Sequence, residues 1–191
     1  MNQELPALIA AANAIAADAE RTFGHLDGEQ LNWKPRADQW SVAQCFEHLI
    51  KINSAYAPQF RLIEQGAYAP TWRAHVPVLA RFFGSMILRA VQPGSPRKFK
   101  AARHVEPSTG SIDGDIIARF TTHQQEVVEH MTMTGRRDLH TVVVTSAVAP
   151  IAFYSALDAF RILAAHEQRH MAQAERVVHA DGFPMRHLGD R

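Results

Sequence analysis

The chain has one cysteine, three tryptophans and three tyrosines in 191 residues, and its charge is almost balanced, with 20 basic against 19 acidic side chains. A lone Cys45 excludes an intrachain disulfide and fits a reducing compartment. No uninterrupted apolar run reaches the ~18 residues that a membrane span requires. No basic run stands out, so electrostatics give no reason to expect a nucleic-acid partner. The first twenty residues carry acids inside an apolar stretch and lack a basic leader; they read as a helix and not as a signal peptide. Hydrophobic residues at 47% and charged residues at 20% are ordinary globular proportions. The expectation is one domain over residues 1–191, cytoplasmic, with no stable membrane association. What the chain does have in quantity is histidine, 11 copies, and their positions decide what they mean.

Four amphipathic stretches are legible. Leu5, Leu8, Ile9, Ala12, Ile15, Ala16, Ala19 and Phe23 recur at helical spacing, with Gly24 as a stop. A polar connector, His25 to Gln39, leads to Ser41, well placed as an N-cap. Cys45, His48, Leu49, Ile52, Ala55 and Tyr56 then form a second stripe, which continues past a kink at Pro58. A third begins at a Ser111 cap and runs through Ile112, Ile116, Phe120, His123, Val127 and His130 or Met131 to Gly135. The last extends from about Ser155 to about Asp181, with Ala159, Leu163, His166, His170, Ala174 and Val177 on one face. Between the second and third lies an apolar segment, Trp72 to Val91, punctuated by Pro77 and Gly84, then a loose stretch from Pro93 to Gly110. His140 to Ser146 looks extended. The pattern predicts an all-α antiparallel bundle with a helical insertion between its second and third helices.

His166 and His170, four residues apart, share a helix face, a common way for one helix to supply two metal ligands. Both lie on an apolar stripe, and His48 likewise replaces a core residue between Cys45 and Ile52. Buried imidazoles need partners. A shared metal ion is one account; ordinary core hydrogen bonds are the other. His123 and His130 also fall on a buried stripe, so counting alone does not single out the ligands. Glu167 completes His-Glu-x-x-His, the zinc-protease pattern in which the glutamate is the general base. The rest of the chain fits that reading poorly. Gln173 and Arg176 stand where a metzincin-like extension needs Gly and His. Only 21 residues follow His170, and their one glutamate is Glu175. Glu167 then reads as a solvent-facing acid, Cys45 as a buried structural cysteine, and Gln44 and Gln173 as surface residues or contacts to bound water or substrate.

The stretch from Leu26 to Leu49, LDGEQLNWKPRADQWSVAQCFEHL, resembles the signature of the DinB-like superfamily. So does AFRILAAHEQRHMAQAERV, from Ala159 to Val177, with its His-x-x-x-His followed by Gln. The resemblance covers nearly the whole chain in order and spacing. It implies a four-helix bundle in up-down-down-up order, often dimeric, with a divalent metal, usually zinc or nickel, held by three histidines. One sits on the second helix and two on the last, which carries onto His48, His166 and His170. Some relatives are thiol transferases using bacillithiol, mycothiol or glutathione-like cofactors; others are assigned as metal-dependent hydrolases. The expectations that follow are a metal-dependent enzyme acting on a small molecule, as a homodimer, through a low-molecular-weight thiol or water. The other reading is a non-catalytic dimeric bundle whose metal site is structural or vestigial. The Trp72–Val91 segment is longer and more apolar than the resemblance implies; plain packing is its first candidate role, ahead of a lid over the metal, a dimer surface and, last, a membrane-associated amphipathic helix.

Overall fold

A computed structural model of the protein describes residues 3–69, 72–95 and 101–185. Its described residues are mostly helical, with one small sheet. Helix α1, Leu5–Phe23, buries Leu5, Ala12, Ile15, Ala19 and Phe23 and closes at Gly24, as its periodicity predicts. The connector expected to be irregular contains a short helix α2, Gly28–Asn32, held by a capping box between Asp27 and Gln30; five residues are too few to show a helical period. Ser41 and Gln44 form a second capping box and start α3, Val42–Glu64. This helix runs unbroken through Pro58. The proline and Ser54, whose carbonyl its ring cannot bond, are both exposed, so water can satisfy the orphaned acceptor.

A short 3-10 turn, Trp72–His75, precedes α4, Pro77–Val91. Gly84 does not break α4. It is buried at a close crossing, where an added Cβ would lie 2.9 Å from Asp158 Oδ2 and 3.2 Å from Tyr154 Cβ. Helix α5, Ile116–Thr134, starts later than expected. Asp115, not Ser111, occupies its N-cap position without a side-chain cap bond, and Gly135 ends it. The extended segment forms strand β1, Val143–Thr145, paired antiparallel with β2, Phe153–Ser155. Ser155 then caps α6, Ala156–Val178, by accepting from the Asp158 amide.

The contacts give the helix directions. Arg161, near the start of α6, grips Glu4 at the start of α1, so these two helices run alike. Leu5 packs on Gly135, setting α1 antiparallel to α5. Phe46 meets Phe120 and Phe60 meets His130, so α3 and α5 run parallel. His48 meets His170 and Phe60 meets Phe160, so α3 and α6 are antiparallel. Parallel neighbours cannot be joined by a tight turn. The chain from Gln65 to Asp115 makes the crossing and places α4 against α6 and β2 on the way.

The core divides in two along the helix axes. One cluster holds Tyr56, Phe60, Tyr154, Leu157, Phe160 and Leu163; the other holds Phe23, Phe46, Leu49, Ile116, Phe120 and Met171. Between them lies a polar layer. Gln124 Nε2 donates to Glu167 Oε2 (3.0 Å) and to the Ala12 carbonyl (3.4 Å), and Asn53 Nδ2 donates to Glu167 Oε1 (2.7 Å). Each of the four long helices contributes one group.

A candidate metal centre between α3 and α6

His48 lies in the second turn of α3, where the Ser41 cap fixes the helix start. It is buried, and its Nδ1 is 2.7 Å from the Val105 carbonyl. A carbonyl only accepts, so Nδ1 carries the proton and Nε2 is left with a free lone pair. Val105 belongs to a 3-10 turn, Arg103–Val105, that α3 itself holds in place. Gln44 Nε2 donates to the Ser108 carbonyl (2.7 Å), Lys51 Nζ donates to the Glu106 carbonyl (3.0 Å), and Glu47 accepts from the Ser108 amide (2.6 Å) and hydroxyl (2.7 Å). Burial pushes Glu47's carboxyl up, but the Ser108 bonds and the Lys51 ammonium at 3.2 Å together hold it below its ordinary range.

His166 and His170 reach the same place from α6. Their Nε2 atoms are 3.1 Å apart, and the His48 ring lies 5.2 Å from the His166 ring and 4.9 Å from that of His170, centre to centre. One nitrogen from each ring falls within 4.8 Å of the other two. Trp40 covers the group, stacked on His170 at 5.5 Å and 4.9 Å from the His48 ring. His48 and His170 are buried, while His166 keeps part of its surface open.

Burial dominates the electrostatics. It lowers the His48 pKa, against the opposing hydrogen bond to Val105. It pushes His166 down to about 3, helped by the nearby His48 and Arg169 charges. Burial, then the two other imidazoles, hold His170 well below its usual value. Neutral rings are what metal ligation requires. The spacing fits an ion as well. Two nitrogens each ~2.0–2.1 Å from a shared ion stand about 2.9 Å apart at a right angle and about 3.4 Å apart at the tetrahedral angle; the observed 3.1 Å lies between. Nδ1 of His166 and Nδ1 of His170 are buried without a hydrogen-bond partner among the described residues. Gln173 lies against the His170 ring, outside hydrogen-bond geometry with Nδ1.

His123 and His130 stand apart from this group. His123 Nδ1 pairs with Glu126 at 2.9 Å and His130 Nδ1 with Glu64 at 2.6 Å, both on the flank of α5. Cys45 is buried in the apolar core, outside the three-histidine group, and desolvation pushes its thiol up to about 12. Gln44 is not a surface or substrate residue but the capping and loop-holding residue just described.

Glu167 corrects the expectation of a solvent-facing acid. It is 1% exposed, both its oxygens accept amide protons from Asn53 and Gln124, and burial raises its pKa to about 7 against those bonds. A glutamate engaged on both oxygens in the core is not a free general base, and the protease reading ends there. The sequence carried a signal for this layer. Gln124 interrupts the stripe Ile116, Phe120, Val127, Met131, and Asn53 sits beside Ile52 and Tyr56 on the buried side of α3. The Val105 carbonyl had no such signal, since any residue supplies one.

Three neutral imidazoles, brought together by two antiparallel helices and capped by a tryptophan, define a helical protein with a three-histidine candidate metal centre. The chain belongs to the DinB superfamily, whose family model matches residues 12–174 and so spans all three histidines. No curated protein and no solved structure gives a significant match.

Proposed function

We propose that the chain is a single four-helix-bundle domain, α1, α3, α5 and α6 in up-down-down-up order, and a metal-dependent enzyme acting on a small molecule. His48, His166 and His170 hold one divalent ion, zinc or nickel. The observation that carries this reading is the convergence of three imidazole nitrogens within 4.8 Å in a largely buried place, with the His48 tautomer set by Val105. Three nitrogen donors leave coordination positions free, and a bound ion supplies the Lewis acidity that acidifies a water or a thiol at neutral pH. The Val105 carbonyl orients His48 and raises its donor strength. Trp40 excludes water from one side of the rings, and the open part of His166 marks where a substrate approaches. The DinB superfamily as the resemblance describes it, with thiol transferases and hydrolases among its members and often dimeric, supports a low-molecular-weight thiol or water as the activated group, and a homodimer as the working form.

The burial of His48 and His170 supports a second reading, a structural ion that only ties α3 to α6. One series separates the two. The purified protein and its His48→Ala, His166→Ala, His170→Ala and Cys45→Ala variants are measured for metal content and for consumption of bacillithiol, mycothiol or glutathione with a model electrophile. The enzyme reading predicts one ion per chain, thiol consumption lost in the three histidine variants, and both properties kept in Cys45→Ala. Metal that raises the melting temperature while thiol and ester panels stay silent establishes the structural reading instead.

A further inference from the structure

Helix α4 packs on α6 and β2, burying Ala80, Gly84 and Ala90, and among the described residues nothing covers its opposite face. Val78, Phe82 and Met86, at four-residue steps, form one exposed apolar line with Leu79 beside it; Val78 is 77% and Phe82 58% exposed. Two neighbouring features extend this surface. Trp72, in the turn before α4, is 66% exposed, and Ile151, between β1 and β2, is 80% exposed. Arg73 links them, bonding Thr145 Oγ1 (2.6 Å) and the Pro150 carbonyl (3.2 Å) while lying over the Trp72 ring. Large apolar side chains gathered on one exposed surface mark an interaction site.

Charge indicates what covers it. From Gln65 to Val105 the chain contains no aspartate or glutamate, although the whole protein is nearly neutral. Arg81 and Arg89 lie beside the apolar line on α4, and Arg73 next to Trp72. None of the three forms a salt bridge among the described residues. A second copy meeting this face about a twofold axis would set arginine against arginine, because the acid beside Arg81, Asp158, is already held by Ser155 Oγ (2.8 Å) and Arg161 (2.6 Å). An apolar phase behind a layer of negative headgroups satisfies both parts at once: aromatic and aliphatic side chains enter the interface, and guanidinium groups meet the anions.

We propose that the outer face of α4, with Trp72 and the β1–β2 tip, docks reversibly on an anionic lipid surface. The association is peripheral, since no helix among the described residues is long and apolar enough to cross a membrane. The face is turned away from α6, the helix that carries His166 and His170, so docking and the candidate metal centre are separable by mutation.

The test is co-sedimentation of the full-length, metal-replete protein with phosphatidylcholine vesicles, with and without phosphatidylserine. The wild type is expected to pellet with the anionic vesicles at least about tenfold better than with neutral ones, and to be released by salt. Arg81→Gln and Arg89→Gln each weaken anionic binding about fivefold. Phe82→Ser abolishes it, and all three variants keep wild-type melting and metal content because the positions are exposed. Tryptophan emission shifts to the blue on vesicle binding, and Trp72→Phe removes the shift. Equal partition to both vesicle types, or variants that bind as the wild type does, overturns the proposal. So does an absence of vesicle binding together with conversion of a dimer to a monomer by Phe82→Ser, which would assign the face to a second copy.

Discussion

Glu167 stands between two candidate ligands in the chain and turns away from them in space. One residue advances a helix by about 100°, enough to send His166 toward His48 and Glu167 into the polar layer with Asn53 and Gln124. Its carboxylate is the acceptor for both amides, so Glu167→Ala strands two buried donors. The expected cost is about 2–4 kcal/mol in urea denaturation, with the melting curve moving whether or not metal is present. A change below about 0.5 kcal/mol would mean that the layer is not closed as described. The pattern His-Glu-x-x-His therefore has two meanings that the letters do not separate. The histidine spacing fixed their common face, which the structure reproduces. The role of the glutamate depended on which helix faced it, and Asn53 and Gln124 lie 114 and 43 residues away along the chain.

At the scale of elements, the helices that carry long apolar stripes are legible to within a few residues: α1 stops at Gly24, α3 starts at its Ser41 cap, and α6 starts at Ser155. The short pieces are not. Helix α2 and strand β2 are held by a capping box and by pairing to β1, and neither device leaves a periodic trace in five or three residues. In the sequence Gly84 looks like punctuation, because glycine disfavours a helix interior. Its actual reason is the crossing with α6, where Asp158 is already fixed by Ser155 Oγ (2.8 Å) and Arg161 (2.6 Å) and cannot retreat. Gly84→Ala gains local helix propensity and still destabilises, by about 1–3 kcal/mol, because the crossing is overpacked. Hydrogen exchange should localise the loosening to α4. A stabilised variant would show that α4 is not seated as described.

Across the whole molecule, the polar layer divides two apolar clusters at the level where the candidate ligands leave α3 and α6. The crossing from α3 to α5 does more than join parallel helices. It carries α4 along α6, where Arg169 holds the carbonyls of Gln92 (3.2 Å) and Ser95 (3.1 Å), and it delivers Val105 to His48. A connection that looks loose in sequence thus both orients a candidate ligand and exposes the face proposed to dock on lipid. Metal binding at the three histidines remains the central claim, and X-ray absorption on the zinc- or nickel-loaded protein tests it most directly. The account predicts one ion per chain with imidazole nitrogens at about 2.0–2.1 Å for zinc, no sulfur neighbour, and one imidazole fewer in His48→Ala. A sulfur scatterer, or a His48→Ala spectrum identical to the wild type, would contradict it.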